Sequence, residues 1–420
     1  MGRTDNSSAM AELEGAMEES GGNPPASSAR KKVFMYMSAS FHNAYLHMAK
    51  NPPEGFSVST SAYMAYTPGT SPSATLPPQA QGAIRSLNPY ISPLYNKLHI
   101  MLSRPKVRKF HLDSYDLVHS AQSILDTNLP YVMDFEHAAV LSGYNQSAFE
   151  REGFRNALKR KLLDGNLKKL LPWSNAAKRS LTNFVKSHEL EQKIETVYPV
   201  ITPPEKLERQ KHEGVNFIFV GGIFYEKGGY DAVLAFDKIS SKYDATLTLV
   251  TPIPNEVQER FSKNDKIRML GPQPYAKVKE LYSQSDVFVM PTHYDTFGFV
   301  IPEALSYGLP ILTDNSFSRP ELVEHGKTGL LVDAYYSSFR EDGAYIYQSV
   351  EDLKKRREDC KYPTESYINE LASSMERLIN EDSLREEMSR NAREETISGK
   401  FSPKAYKEKM GRIYEEALRK

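Results

Sequence analysis

Asp286-Val287-Phe288-Val289-Met290-Pro291-Thr292-His293-Tyr294-Asp295-Thr296-Phe297-Gly298-Phe299-Val300-Ile301-Pro302-Glu303-Ala304-Leu305-Ser306-Tyr307-Gly308-Leu309-Pro310 decides the fold class. Asp286 to Met290 reads as a buried strand, and a loop containing Gly298 leads from it into a helix. That helix can hold Pro302 in its first turn, where a missing N–H costs no hydrogen bond. The free amides of such a helix start attract anions, and a diphosphate fits there. Glu303 sits one turn inside the helix, where its carboxylate can accept hydrogen bonds from a ribose diol, and Asp295 can do the same for sugar hydroxyls. Each acid also has a structural reading alone: Glu303 as a favourable first-turn acid, Asp295 as a cap.

Working outward, Val220-Gly221-Gly222-Ile223-Phe224-Tyr225-Glu226-Lys227-Gly228-Gly229 is a strand running into a glycine loop with a lysine at its far side. Backbone can approach a ligand closely there, and Lys227 supplies a point charge for phosphate. By itself a glycine pair after a strand is a tight turn; the bracketing of a helix start by Asp295 and Glu303 in the same domain gives it meaning. Strands Phe217 to Val220, Thr246 to Val250, Lys266 to Leu270, Val287 to Met290 and Ile311 to Thr313 alternate with helices near 229–241, 275–284, 299–307 and 320–325. That rhythm predicts a parallel, doubly wound α/β sheet. An irregular, tyrosine-bearing insertion from Ala334 to Tyr367 follows, before terminal helices over 368–394 and 402–419.

The first half is less regular. Val33 to Met37 and Pro130 to His137 read as buried strands, Arg155 to Lys169 as a basic helix, Leu170 to Ser174 as a strand, and Asn175 to Lys186 as a helix capped by Ser174. Asn51 to Gln81 reads as a long irregular region holding a strand or two. A Pro-rich charged stretch from Pro199 to Gly214 is the expected linker. The expected organisation is a disordered tail over 1–30, a domain over 31–200, a second over 201–398 and a final helical segment over 399–420.

Bulk properties exclude several classes. Lys+Arg and Asp+Glu both number 53, so no net field draws the chain to nucleic acid. The single cysteine, Cys360, allows no internal disulfide framework and no Cys-cluster metal site, and fits a reducing compartment. No apolar run approaches the roughly 18 residues of a membrane span, and the first 30 residues lack a secretory core. A cytoplasmic protein is expected, with the basic runs Arg104 to Lys109 and Lys159-Arg160-Lys161 as candidate peripheral contacts with anionic lipid.

The motifs over 217–333 resemble the donor domain of retaining glycosyltransferases of family 4, the group 1 glycosyl transferases. The resemblance is carried by Phe219-Val220-Gly221-Gly222 with Glu226-Lys227-Gly228, by Asp295 to Glu303 as an acid-x7-acid signature, by Gly308-Leu309-Pro310-Ile311, and by Glu321-Leu322-Val323 with Gly326 to Val332. It extends weakly over 115–200. It implies the GT-B fold, two Rossmann-like doubly wound parallel-sheet domains facing across a cleft, with the terminal helix packing back on the first. By the same resemblance the donor is a nucleoside diphosphate sugar and the acceptor a hydroxyl of a glycan, lipid or small molecule. Neither a resident cofactor nor a metal is implied.

Carried over by residue, Gly221, Gly222 and Lys227 face the diphosphate, and the amides around Thr296, Phe297, Gly298 and Phe299 face phosphate or sugar. Asp295 would contact the transferred sugar, Glu303 the ribose, and Leu270 and Gly271 the nucleobase. His137, or Glu136 if the register differs by one, falls where the family places a histidine toward the reacting centre; a backbone-bonded loop histidine is the structural reading. Two departures stand out: the family has arginine at the position of Gly222, and glutamate at that of Asp295. Asp134-Phe135-Glu136 also resembles the acidic metal motif of the single-domain glycosyltransferase fold, against the context of the other signatures. The competing readings are another GT-B enzyme, such as an epimerase or phosphorylase, and a catalytically lapsed nucleotide-sugar binder.

Overall fold

The computed structural model of the chain describes residues 30–37, 43–60, 105–207, 212–347, 352 and 358–419. The expected tail before residue 30, residues 61–81 of the irregular region and Arg104 of the basic run lie outside them. By packing, the described chain divides into two units, one of 30–202 with 338–347 and 398–419, the other of 203–337 with 358–397.

The first unit contains β1 (Lys31–Tyr36), α1 (Asn43–Lys50), β2 (Phe56–Thr60), β3 (Val107–Lys109), β4 (Leu117–Ala121), β5 (Ile124–Asp126), β6 (Tyr131–Phe135), α2 (Glu152–Leu162), β7 (Leu167–Pro172), α3 (Asn175–Thr182) and α4 (His188–Gln192). Its main sheet has the order β2-β1-β4-β6-β7, every pairing parallel, beside a small β3-β5 pair. Strands covered on both faces read as unbroken apolar runs, which is why Val33-Phe34-Met35 and Tyr131-Val132-Met133 are buried throughout. The helix expected over Arg155 to Lys169 is shorter. It stops at Leu162, and Leu167 already opens β7. Asp164 Oδ1 accepts from the Asn166 amide at 3.0 Å, an Asx turn that competes with helix continuation. Ser174 caps α3 by accepting from the Ala177 amide.

The second unit contains β8 (Val215–Val220), α5 (Gly229–Ser240), β9 (Ala245–Val250), α6 (Asn255–Phe261), β10 (Ile267–Met269), α7 (Tyr275–Ser283), β11 (Val287–Met290), α8 (Val300–Ser306), β12 (Ile311–Asp314), α9 (Arg319–Leu322), β13 (Gly329–Val332), α10 (Glu365–Asn380) and α11 (Asp382–Ile397). Its six strands run in the order β10-β9-β8-β11-β12-β13, again all parallel. Phe217, Ile218, Phe219, Leu247, Leu249 and all of β11 are wholly buried at its centre. α5 packs on α10 and α8 on α11, where Arg393 donates to the carbonyls of Ser306 and Pro204.

α12 (Pro403–Leu418) packs against β4, β6 and β7 of the first unit. Tyr414 Oη lies 2.7 Å from His119 Nδ1 there, and His119 Nε2 lies 3.0 Å from Asp134 Oδ2, all buried. Residues 338–347, expected inside the 201–398 domain, instead belong to the first unit. The physical reason is burial. Phe339, Ala344 and Tyr345 are buried, and the Phe339 and Tyr345 rings lie against His137 of that unit.

Candidate functional site

The strand order of the second unit reverses direction at one place. β9 and β10 build outward from β8 on one side, β11 to β13 on the other. Loops leaving the C-terminal ends of β8 and β11 therefore diverge, and open α/β sheets bind ligands in the crevice such a switch leaves. Lys227 is on the first loop and Asp295 on the second.

The two loops are tied together by backbone. The carbonyl of Glu226 accepts from the His293 amide at 2.9 Å, the Tyr294 amide at 3.1 Å and Thr292 Oγ1 at 3.2 Å. Gly228 makes this approach possible: its φ is +76°, and a Cβ there would stand 1.9 Å from the Pro291 carbonyl oxygen. Lys227 Nζ consequently lies 2.6 Å from Asp295 Oδ2 and donates to the Tyr294 carbonyl at 2.9 Å.

Beyond Asp295 the chain turns at Gly298, φ +83°, and α8 begins at Val300, with the Ile301 amide donating to the Gly298 carbonyl at 2.8 Å. Pro302 is the third helical residue, where the chain has no use for its N–H. Glu303 is buried, and burial pushes its carboxyl from the ordinary 4.5 up to about 7, against the lowering effect of a hydrogen bond from Tyr275. Thr296, Phe297 and Phe299 are buried beside it along the loop.

Gly221 is hemmed in by the Phe219 ring and Lys227 Cβ, whereas a Cβ on Gly222 would meet nothing within 4 Å. Next to it Ile223 is 46% exposed, and at the end of β10 Leu270 is 40% exposed. Gly271 follows with φ +67°.

His137 and Glu136 lie in the first unit. The His137 ring is wholly buried: Nδ1 accepts from the Ala139 amide at 3.0 Å, and Nε2 lies 2.7 Å from the Gly343 carbonyl oxygen. The Tyr345 ring packs against it, tilted by 34° with ring centroids 4.2 Å apart. Burial lowers its pKa to about 4, even though the Gly343 carbonyl favours the proton. In this conformation a sugar cannot touch it. Glu136 is half-buried and accepts from Tyr144 Oη at 2.9 Å.

Two buried basic side chains adjoin these loops. Arg319 is fully buried and donates to the Asp295 carbonyl at 2.6 Å and to Ser316 Oγ, with Asp314 Oδ1 3.5 Å away. His293 is buried with Nε2 2.7 Å from Asp231 Oδ2 on α5. Arg319 stands in an otherwise ordinary Ser-Arg-Pro helix start and His293 in an aperiodic loop, so neither carries a spacing signal. His293 stands two residues before Asp295, whereas Arg319 is distant in sequence from both Asp295 and Glu303.

Two parallel doubly wound sheets, one with paired loops at its switch point, are the GT-B glycosyltransferase fold. Solved structures of that class match nearly the whole chain: HepE of Anabaena in complex with UDP-glucose (TM-score 0.56, 14% identity, 92% of this chain and 100% of that one) and a glycosyltransferase of Rickettsia africae (0.56, 17%, 93% and 100%). Within the chain, residues 205–367 match the model of the family "Glycosyl transferases group 1".

Curated relatives include an uncharacterized 41.2 kDa protein in the cps region of Klebsiella pneumoniae, 31% identical over 34% of this chain and 42% of that protein. Another is the capsular polysaccharide biosynthesis glycosyltransferase CapM of Staphylococcus aureus, 26% identical over 51% of this chain and 50% of that protein. The chain thus spans about half or less of their length. Among the described residues no helix is long and apolar enough to cross a membrane.

Proposed function

We propose that the chain is a glycosyltransferase that binds a nucleoside diphosphate sugar at the β8–β11 switch point and transfers its hexose-type unit to a hydroxyl acceptor with retention. The observation that carries the reading is the Lys227–Asp295 pair, 2.6 Å apart on the two loops that flank the switch. A diphosphate arriving there takes Asp295's place as partner of Lys227, and the released carboxylate is then free to accept hydrogen bonds from sugar hydroxyls. Glu303, with a carboxyl near neutrality in its apolar setting, is the acceptor for the ribose diol. Leu270 and Ile223 are apolar surface on which a nucleobase can lie. Catalysis then rests on stabilising the leaving diphosphate by Lys227 and the 297–300 backbone. The relatives from polysaccharide loci make a glycan acceptor the favoured class.

One observation favours a second reading. Gly222 offers no cation where the resemblance implies arginine, which suits a nucleotide-sugar binder without turnover. The experiment is incubation with UDP-, GDP- and ADP-sugars and a panel of sugar, lipid and glycan acceptors, with mass detection of product and NMR of the new anomeric proton. A product of retained configuration supports the transferase. Tight binding with neither product nor hydrolysis supports the binder, and release of sugar 1-phosphate on adding phosphate identifies a phosphorylase.

A further inference from the structure

The loop that carries Asp295 is anchored from beneath by a buried ionisable pair. His293 Nε2 lies 2.7 Å from Asp231 Oδ2, with the side chains 2% and 0% exposed. Asp231 belongs to the first turn of α5, the helix that starts directly after the Lys227 loop. The pair therefore joins the element behind Lys227 to the loop that holds Asp295.

Stability alone does not account for it. Asp231 Oδ1, Tyr335 Oη and Tyr367 Oη are buried with no hydrogen-bond partner among the described residues. Leaving such groups unsatisfied costs free energy, and an apolar pair of the same volume is often as stable as a buried ion pair. What an apolar pair lacks is direction.

We propose that His293 and Asp231 are positioning residues that set the Lys227–Asp295 spacing for the donor diphosphate, an inference that rests on the transferase reading of the same loops. His293 is enclosed by Tyr335, Tyr336 and Tyr367 at ring-centroid distances of 5.1, 5.9 and 6.4 Å. The charged groups facing it are Asp231 on α5 and Asp314 at the end of β12, together with a backbone contact from Tyr336. Burial would lower its pKa, but the two carboxylates outweigh it and hold the pKa above the usual value. Tyr335 and Tyr367 are raised by burial and stay neutral. A raised histidine keeps its charge pair below the folded pKa and loses it as pH rises through that value, so donor binding weakens on an alkaline limb set by His293.

The test titrates UDP, GDP and ADP into wild type, His293→Gln and Asp231→Asn from pH 6 to 10, with melting temperatures in parallel. The expected result is that His293→Gln weakens the diphosphate that wild type binds by about tenfold at pH 7 and flattens the alkaline limb. Asp231→Asn, which keeps the shape and a hydrogen-bond acceptor, should flatten the same limb and carries the test if the histidine variant fails to fold. Affinities within twofold of wild type with the limb intact would overturn the inference, as would a lower melting temperature with unchanged binding. If wild type binds none of the three, the nucleotide-site reading itself fails and takes this inference with it.

Discussion

Replacing Glu303 with Gln removes a carboxyl whose burial holds it near 7 instead of 4.5. The sign follows from linkage: the unfolded chain ionises Glu303 at lower pH than the folded chain does, so folding is penalised increasingly as pH rises from 4.5 to 7 and fully above it. At about 1.4 kcal/mol per pH unit, this one group removes roughly 3 kcal/mol of stability across that window. Gln keeps the volume and never ionises, so the variant escapes the loss; by the ~1 kcal/mol-per-few-degrees scale of a domain this size, several degrees of melting temperature separate the two proteins at pH 8 and little separates them at pH 5. Binding should expose the same charge. A ribose diol donating to the carboxylate draws its pKa down, so nucleotide uptake near pH 6.5 releases protons in wild type and none from this position in Glu303→Gln. Melting curves at pH 5, 6, 7 and 8, and calorimetry in two buffers of different ionisation enthalpy, read both effects. Parallel pH profiles for wild type and variant would refute the reasoning.

Asp295→Asn frees Lys227 from its ion pair, so nucleoside diphosphate alone should bind at least as tightly as to wild type while sugar transfer falls by about 100-fold, checked by calorimetry and product assay. Gly222→Arg has open space for its side chain, so the variant should melt as wild type does and bind the diphosphate about tenfold more tightly, a charge-assisted contact being worth roughly 1.5–3 kcal/mol. Gly343→Ala strains a residue at φ +81° and brings its Cβ to 3.1 Å from the Ser180 amide nitrogen, loosening the hairpin over His137. NMR titration should then find His137 moving from about 4 toward its ordinary value of 6.5.

The donor half was legible because its signals are local and redundant. β11, for example, reads as Val287 to Met290 from the apolar run alone, and Gly228 and Gly298 mark turns that the backbone requires. The pairing of Lys227 with Asp295 also follows from their loops once the strand order is known. β13 at Gly329–Val332 carries no strand signal of its own, since three apolar side chains after a glycine show no period. The terminal helical run over 368–394 is two helices that meet at Glu381, a break that helix-forming residues on both sides conceal. Least legible was the hairpin over His137: its Phe339, Tyr345 and Tyr347 look like a surface insertion, and only long-range packing reveals which surface they cover. Buried polar pairs such as His293–Asp231, 62 residues apart, leave no pattern in one sequence.

The central claim is that the crevice at Lys227 holds a nucleoside diphosphate sugar. Thermal unfolding of wild type and Lys227→Ala against UDP-, GDP- and ADP-sugars tests it most directly. One nucleotide at about 100 times its dissociation constant should stabilise wild type by roughly 2.7 kcal/mol and lose most of that effect in Lys227→Ala. No shift with any nucleotide, or an equal shift in both proteins, would contradict the account.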